Sequence, residues 1–492
     1  MTGDKFCFIL ISAEKQAGFF DPACYADIFE DEEVIAMQGI QKKRREIDMT
    51  QGVIWKQLLL FALPLLAGNI FQQFYNTVDS IVVGNFVGKE ALAAVGSVGP
   101  IINSLIGFFM GLSTGAGVVI SQAYGAKNFE KVGRAVHTTL VMTLILCVVF
   151  SVAGVVATPW MLRLMSTPAD VFGQASEYLK IYFAGVSGLM IYNMGSGILR
   201  AVGDSQRPLY FLIFSACVNT VLDILFVAGF KMGIGGAALA TVIAQALSAI
   251  LVLVVLARSH GPYQLKISRL RLDGKTLKEI VLLGLPAAIQ MMVTSFSNVF
   301  VQSYINAFGS DVMAGWSAYT KIDQFILLPM QSISLAATTF VGQNYGAGRV
   351  ERIKKGSGTA LKLAMTVTLV LMIPVVIFAP NLVGLFNNEG EVVKYGTLLL
   401  RMMSPFYLMC CINQVFASSL RGLGNTKAPM VIMLGSFVVF RQIYLFAVSR
   451  LVGTVKAVAF GYPAGWILCS IIMLIYYRSY CRNRFSKFAA EQ

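Results

Sequence analysis

Gln122-Ala123-Tyr124-Gly125-Ala126 recurs as Gln343-Asn344-Tyr345-Gly346-Ala347, a shift of 343 − 122 = 221 residues. A second pair keeps the offset: Leu199-Arg200 with Gly203 and Pro208 returns as Leu420-Arg421 with Gly424 and Pro429, 420 − 199 = 221 residues on. Two unrelated pairs at one offset mark a duplication. Each copy follows a long apolar run, so the repeated unit is a set of membrane spans with their loops. Duplicated span sets of this kind usually enclose a transport pathway between them.

The 492 residues are 56% hydrophobic and 13% charged, with a mean hydropathy of +0.70. That balance excludes a soluble globular class. The apolar runs reach the roughly 20 residues a helix needs to cross the hydrocarbon core, whereas barrel strands are shorter and strictly alternating. The fold class is an all-α polytopic membrane protein. Twelve spans are expected near 57–83, 91–120, 135–158, 177–199, 208–229 and 235–257, then 278–307, 312–340, 358–380, 398–420, 428–450 and 454–477. Six per half is even, so the copies enter the membrane from the same side and form parallel repeats. Pro64, Pro286, Pro329, Pro374 and Pro405 fall within spans and predict kinks.

Basic residues set the orientation. One set of loops carries Lys127, Lys131, Arg134, Arg200, Arg207, the run from Arg258 to Lys278, Arg349, Arg352, Lys354, Lys355 and the final Arg478, Arg482, Arg484 and Lys487. The opposite loops hold Lys89, Arg163, Lys231, Lys394, Arg450 and Lys456. Both termini are therefore expected in the cytoplasm of a multi-pass protein of the cell (inner) membrane. The net charge of +14 is largely this topology signal plus attraction to anionic lipids. No basic folded domain or reading element supports a nucleic-acid partner.

The chain divides into 1–48, a disordered tail or an extension ahead of Met49 as a second possible start; 49–258, a first six-helix lobe; 259–276, a linker; 277–478, a second lobe; and 479–492, a basic tail. The eight cysteines are scattered without metal or redox spacing and read as small apolar fillers. His137 and His260 are the two histidines, and no phosphate-binding loop or nucleophile–base set is present. An enzyme and direct use of ATP are both disfavoured.

Ionisable residues inside a bilayer are costly and functional by default. The first half holds Asp79 and Asp223, with Asn219 one turn before Asp223 and Thr241 in the next span. At about 1.5 Å per residue, Asp79, Asp223 and Thr241 lie some 6–9 Å below the outer boundary. Two carboxylates, an amide and a hydroxyl make a hard-oxygen pocket suited to Na⁺ or a proton; the bland alternative is that they only fix helix packing. In the second half, Lys321 and Asp323 on the eighth span point in different directions, and Asp323 either meets Arg441 of the eleventh span or faces the cavity. Arg200 and Arg421 are expected to anchor loops, and Gly125 and Gly346 to shape tight turns. Met291, Met292 and Phe296 are candidates to line an adaptable apolar cavity.

Pro64 with Asp79 fifteen residues on, Leu199-Arg-Ala-Val-Gly-Asp204 before Pro208, and Asn219-x-x-x-Asp223 leading to Gly236-Ala-Ala-Leu-Ala-Thr241 resemble the multidrug and toxic compound extrusion (MATE) family. The two Gln-x-Tyr-Gly-Ala loops fit as well, and the likeness covers residues 50–480. The pattern looks like the bacterial branch related to the DNA-damage-inducible and MepA-type pumps. The resemblance implies two six-helix lobes around a central cavity and export of amphipathic, often cationic drugs in exchange for Na⁺ or H⁺. It places Asp79, Asn219, Asp223 and Thr241 in a first-lobe cation site with Tyr178 as neighbour. Apart from the resemblance, Lys321, Asp323 and Arg441 are read as taking a substrate or coupling role or as forming a structural ion pair. It implies no cofactor beyond the coupling ion, drugs and membrane lipids as partners, and a monomer. A second-lobe acidic site on the seventh and tenth spans is not supported, since those spans lack Asp and Glu. The alternative is a flippase for lipids or lipid-linked sugars, which calls for a more cationic cavity than Lys321 and Arg441 provide. At the shift of 221, Asn219 becomes Phe440, Asp223 becomes Tyr444, and Asp79 falls opposite Phe300 or Val301. The halves match as scaffold and differ as machinery.

Overall fold

The computed structural model describes residues 47–165 and 167–490, and among them every regular element is helical. The expected tail 1–48 lies outside the described residues up to residue 46, as do Cys7 and Cys24. The first half holds α1 (Ile54–Phe86), α2 (Lys89–Gly125), α3 (Phe129–Leu164), α4 (Ala169–Ala184), α5 (Val186–Ala201), α6 (Gln206–Asp223) and α7 (Gly233–Arg258). The second holds α8 (Gly274–Asn306), α9 (Ser310–Gly346), α10 (Val350–Ile377), α11 (Ala379–Gly384), α12 (Gly390–Met403), α13 (Tyr407–Gly422), α14 (Lys427–Leu434), α15 (Arg441–Leu451), α16 (Val455–Ala459) and α17 (Gly461–Ala490). A π-helical turn, Ile224–Gly229, prolongs α6, and another, Gly435–Phe440, joins α14 to α15.

Among the described residues, eleven helical stretches are long and apolar enough to cross a membrane. The fourth expected span is built from α4 and α5, 16 residues each, which meet at Gly185. A Cβ at Gly185 would overlap the side chain of Val242 on α7, so glycine admits the neighbouring helix where the span breaks. With this broken span the crossings number 11 + 1 = 12. Pro64, Pro286, Pro329 and Pro374 lie inside continuous helices, whereas Pro405 sits in the 3₁₀ turn Ser404–Phe406 between α12 and α13. The expected basic tail begins inside α17, which continues to Ala490.

The duplication reaches the backbone. Left-handed corners occur at Gly88 (φ +118°) and Gly309 (φ +95°), at Lys127 (φ +55°) and Gly348 (φ +69°), and at Gly203 (φ +101°) and Gly424 (φ +85°). The offsets 309 − 88, 348 − 127 and 424 − 203 all equal 221. Lys127 adopts a conformation that costs a non-glycine residue about 1–2 kcal/mol, so the same loop geometry is held by lysine in one copy and by glycine in the other.

The two sides of the seam between halves differ. Helix α2 packs along α8 more extensively than any other helix pair. Gly107, Gly111 and Gly115 form a stripe one turn apart, and a Cβ at Gly111 or Gly115 would overlap the backbone at Ala288 or Gly284. In lipid, close approach of this kind supplies the packing energy that water-driven burial cannot. At the shift of 221 the stripe becomes Leu328, Ser332 and Ala336 on α9, so the matching α1–α9 pair cannot close as tightly. Its polar cross-links are Asn69 to Ser332 at 3.4 Å and Gln73 to Gln324 at 2.9 Å. Substituting Gly111 with leucine should lower stability by about 1–3 kcal/mol, the usual range for overpacking, measured by unfolding in detergent.

The linker is docked, with α8 already begun at Gly274. His137 Nε2 accepts the Lys266 N–H at 3.1 Å, Thr138 accepts that of Asp273 at 3.2 Å, and Tyr263 is buried. Asp273 caps α8 by accepting the Thr276 N–H at 2.9 Å, and the Thr276 hydrogen bonds hold its carboxyl below the usual carboxylate range. His137 is thereby a structural residue. Apolar cores form within each half, but Leu58, Phe61 and Leu65 of α1 belong to the second-half core, and Ile280 and Ala288 of α8 to a first-half core. The two halves therefore exchange helix beginnings across the seam.

Candidate functional site

Asp79 lies on α1, and Asn219 and Asp223 on the last turns of α6. Asp223 is 0% exposed, Asn219 2% and Asp79 9%. Asp79 Oδ1, both amide atoms of Asn219 and both carboxylate oxygens of Asp223 have no hydrogen-bond partner. Buried polar atoms are usually bonded; of the unpartnered buried atoms among the described residues, these five fall on just three side chains. The two carboxylates interact electrostatically, and Tyr178 on α4, stacked on Tyr182 at 6.4 Å, senses both. The π turn begins immediately after Asp223, a distortion that recurs at functional sites.

Asn219 and Asp223 share a helix face, and α1 and α6 pack where Gly68 meets Leu209 and Leu212. Thr241 is half-buried and donates to its own helix at the Ala237 carbonyl, 3.1 Å away. Among the described residues no three His, Cys, Asp or Glu side chains converge as a metal cluster. The donor set is thus two carboxylates and an amide. Two carboxylates buried together repel, and a proton or a small hard cation relieves that repulsion.

The second half places its charges differently. Among the described residues Asp323 and Arg441 form no ion pair, which settles one expectation against the direct link. Arg441 is 3% exposed and donates to Ser297 Oγ and Asn298 Oδ1, each at 3.0 Å. Its guanidinium lies over the Tyr462 ring at 4.6 Å. Asp323 accepts from Tyr319 at 3.3 Å, in aromatic surroundings that include Tyr407 and Tyr462. Trp316 contacts both Tyr319 and Tyr462, at 5.1 Å and 5.7 Å. Lys321 is exposed and lies over Phe386 at 5.6 Å, so the two residues diverge as the helix geometry requires. Arg441→Ala should cost about 1.5–3 kcal/mol, the range for hydrogen bonds to a charged group, in thermal unfolding. Asp323→Asn should cost less, since an amide still accepts from Tyr319.

The end of the molecule carrying the basic loops is closed by the repeated motif. Gln122 Nε2 donates to the Gly422 carbonyl at 2.8 Å, and Gln343 Nε2 donates to the Ala201 carbonyl at 2.9 Å. Both donors and both acceptors are 221 apart, so the two bonds are reciprocal across the pseudo-twofold axis. A Cβ at Gly125 would overlap the backbone of Gln343, and one at Gly346 the backbone of Gln122. These glycines do not make tight turns: neither has a positive φ, and what they permit is the crossing of α2 and α9. Arg421 also departs from expectation. It is 5% exposed and donates to Gln290 of α8 at 2.7 Å, bracing helices instead of a loop.

A segment before α1 is threaded into this closure. Ile47 N–H donates to Gly203 O at 3.1 Å, Met49 N–H to Gln343 Oε1 at 3.1 Å, and Asn344 donates to Met49 O at 2.9 Å. Arg349 and Arg352 bond the carbonyls of Met49, Thr50, Gln51 and Gly52. The sequence reading missed this strap and the Gln73–Gln324 bridge. Gln72, Gln73, Asn76 and Ser80, polar residues within an apolar span, were the available signal. Met292 and Phe296 are exposed within α8, whereas Met291 packs against Gly107 in the seam.

The MatE family model matches the chain twice, over residues 64–225 and 286–446. The matched starts differ by 286 − 64 = 222 residues and the ends by 446 − 225 = 221. The probable multidrug resistance protein YpnP of Bacillus subtilis (strain 168) is 31% identical over 432 residues, covering 88% of this chain and 96% of that one. The FAD transporter of Shewanella oneidensis is 24% identical over 426 residues, 85% of this chain and 93% of its own. A MOP superfamily transporter from Pyrococcus furiosus superposes with a TM-score of 0.84 at 23% identity, over 90% of this chain and 99% of that structure, a likeness of fold. With one copy of the family model on each half and the duplicated helix set it describes, the chain belongs to the MatE family of membrane transporters.

Proposed function

We propose that the protein is a Na⁺- or H⁺-coupled antiporter that exports amphipathic, often cationic organic compounds across the cell (inner) membrane by alternating access. The supporting observation is the Asp79–Asp223 pair, two buried carboxylates whose orphaned oxygens a coupling cation satisfies. The basic end is read as cytoplasmic. The closure at Gln122 and Gln343 then seals the inside, leaving the acidic pair to load from outside. The 49–258 and 277–478 helix sets serve as the two lobes that rock against each other. Cation binding joins α1, α4 and α6 at one point, and it shifts the equilibrium by its differential affinity for the two states.

The cationic groups disfavour the flippase alternative, because Arg441 is engaged by Ser297, Asn298 and Tyr462, and Lys321 lies over Phe386. Vesicles carrying the purified protein and an ethidium-like dye should move dye uphill under an imposed Na⁺ or H⁺ gradient, each applied alone. The same vesicles loaded with the anionic flavin dinucleotide should show no gradient-driven movement. Dinucleotide transport without dye transport would overturn the substrate assignment. Movement only down its own gradient would overturn antiport.

A further inference from the structure

A groove of about 1070 Å³ lies at the basic end, between the first turn of α10 and the last turns of α17. Arg349, Arg352, Lys354, Arg478 and Arg482 line it, with Glu351 the single carboxylate among the lining residues. The cations differ in what they already hold. Arg352 is committed to the strap and to Gln57, and Arg349 gives one bond to Thr50. Lys354 pairs with Glu351 at 2.8 Å and lies over the Phe485 ring at 5.7 Å. Arg478 and Arg482 are exposed one turn apart on α17, with no hydrogen bond or ion pair to either among the described residues. Like charges at that spacing oppose each other and call for a counter-anion.

The apolar context identifies the kind of anion. Ile471 and Ile475 are 53% and 63% exposed. Residues 471, 475, 478 and 482 follow each other at steps of four, three and four, which is one helix face. An acyl chain along Ile471 and Ile475 therefore leads, over about 10 Å of helix, to a head group at Arg478 and Arg482. A soluble phosphate uses the charged part of this stripe and leaves the apolar part idle. Arg349, Arg352, Lys354, Arg478 and Arg482 less Glu351 leave 5 − 1 = 4 positive charges, a better match to two phosphates than to one. Basic pockets between spans at the membrane surface bind such head groups.

We propose that the α10–α17 groove is a binding site for an anionic phospholipid with a two-phosphate head group, its chains lying along Ile471 and Ile475. The bound head group bridges α17 to the turn of α10 that holds the strap at Thr50, and so braces the closed basic end. The site stands apart from the acidic pair, and its test reads binding and not transport.

Native mass spectrometry of the full-length protein, titrated with diphosphatidylglycerol and separately with a zwitterionic lipid, measures the affinity. At about fivefold per surface cation, R478Q/R482Q should bind the two-phosphate lipid about 25-fold more weakly. R271Q/K275Q removes two exposed cations from the same end that do not line the groove, and should weaken binding much less than R478Q/R482Q, since screening confines each charge to about a Debye length. Ile475→Ser should also weaken the lipid. Equal losses in both double variants would reduce the site to diffuse surface charge. Equal binding of the zwitterionic lipid, or displacement of the bound lipid by equimolar inorganic pyrophosphate, would likewise overturn the assignment.

Discussion

Asp223→Asn and Asp79→Asn should each reduce gradient-driven dye efflux about 5- to 150-fold, the span of ordinary coupling free energies between two sites, while the protein still inserts and folds. In the proposed antiport the carboxylates are the acceptors that distinguish cation-loaded from cation-free states, and an amide can neither take up a proton near neutral pH nor supply a full charge to Na⁺. Stability should move the other way. Both oxygens of Asp223 are buried without partners, and a buried uncompensated carboxylate costs far more than a neutral amide of the same shape. Asp223→Asn should therefore unfold at a temperature equal to or above that of the parent in detergent at neutral pH. This opposition of signs separates coupling from packing: if the carboxylates merely fixed helix packing, stability and transport would fall together. Uphill efflux at the parent rate in either variant sinks the assignment.

The amount of this site visible in the sequence follows from what a one-dimensional pattern can encode. Asp79 and the Asn219–Asp223 step were legible because charge inside an apolar run is expensive wherever it occurs, and because residues four apart share a helix face. Thr241 was legible as a hydroxyl at the right depth, but depth does not fix direction, and its bond returns to Ala237. Asp323 and Arg441 could be paired on paper. The aromatic side chains that keep them apart come from α9, α13 and α17, beyond the reach of any local pattern. The fold was legible for a different reason: span length is set by the bilayer and duplication by offset. The fourth span shows the limit, since its break at Gly185 answers to Val242, 57 residues away (242 − 185). The strap was hidden because the chain ahead of α1 carries no apolar periodicity, and its anchors are side-chain bonds across nearly 300 residues.

Gly346→Val and Gly125→Val should each abolish closure of the basic end, with effects of similar size. Each glycine is at once intruder and host: its own Cα approaches the opposite helix where that helix presents Gln122 or Gln343. A valine on either side lifts the crossing, and the lift strains both reciprocal bonds together, Gln122 to Gly422 and Gln343 to Ala201. Losing one such bond alone, as in Gln122→Ala, costs about 1 kcal/mol, whereas the glycine substitutions disrupt the shared crossing. Backbone amides in the turns at 201–204 and 422–425 should exchange faster in both valine variants, and transport should fall to background with dye binding retained. Gly358→Val on α10, where a Cβ meets open space, controls for valine in a helix and should leave exchange and transport unchanged. Because both substitutions act on one crossing, the double variant should exchange little faster than either single one, a departure from additivity expected of contacting sites. Independent, additive effects would mean that the two motifs close separate gates, and the reciprocal latch would have to be abandoned.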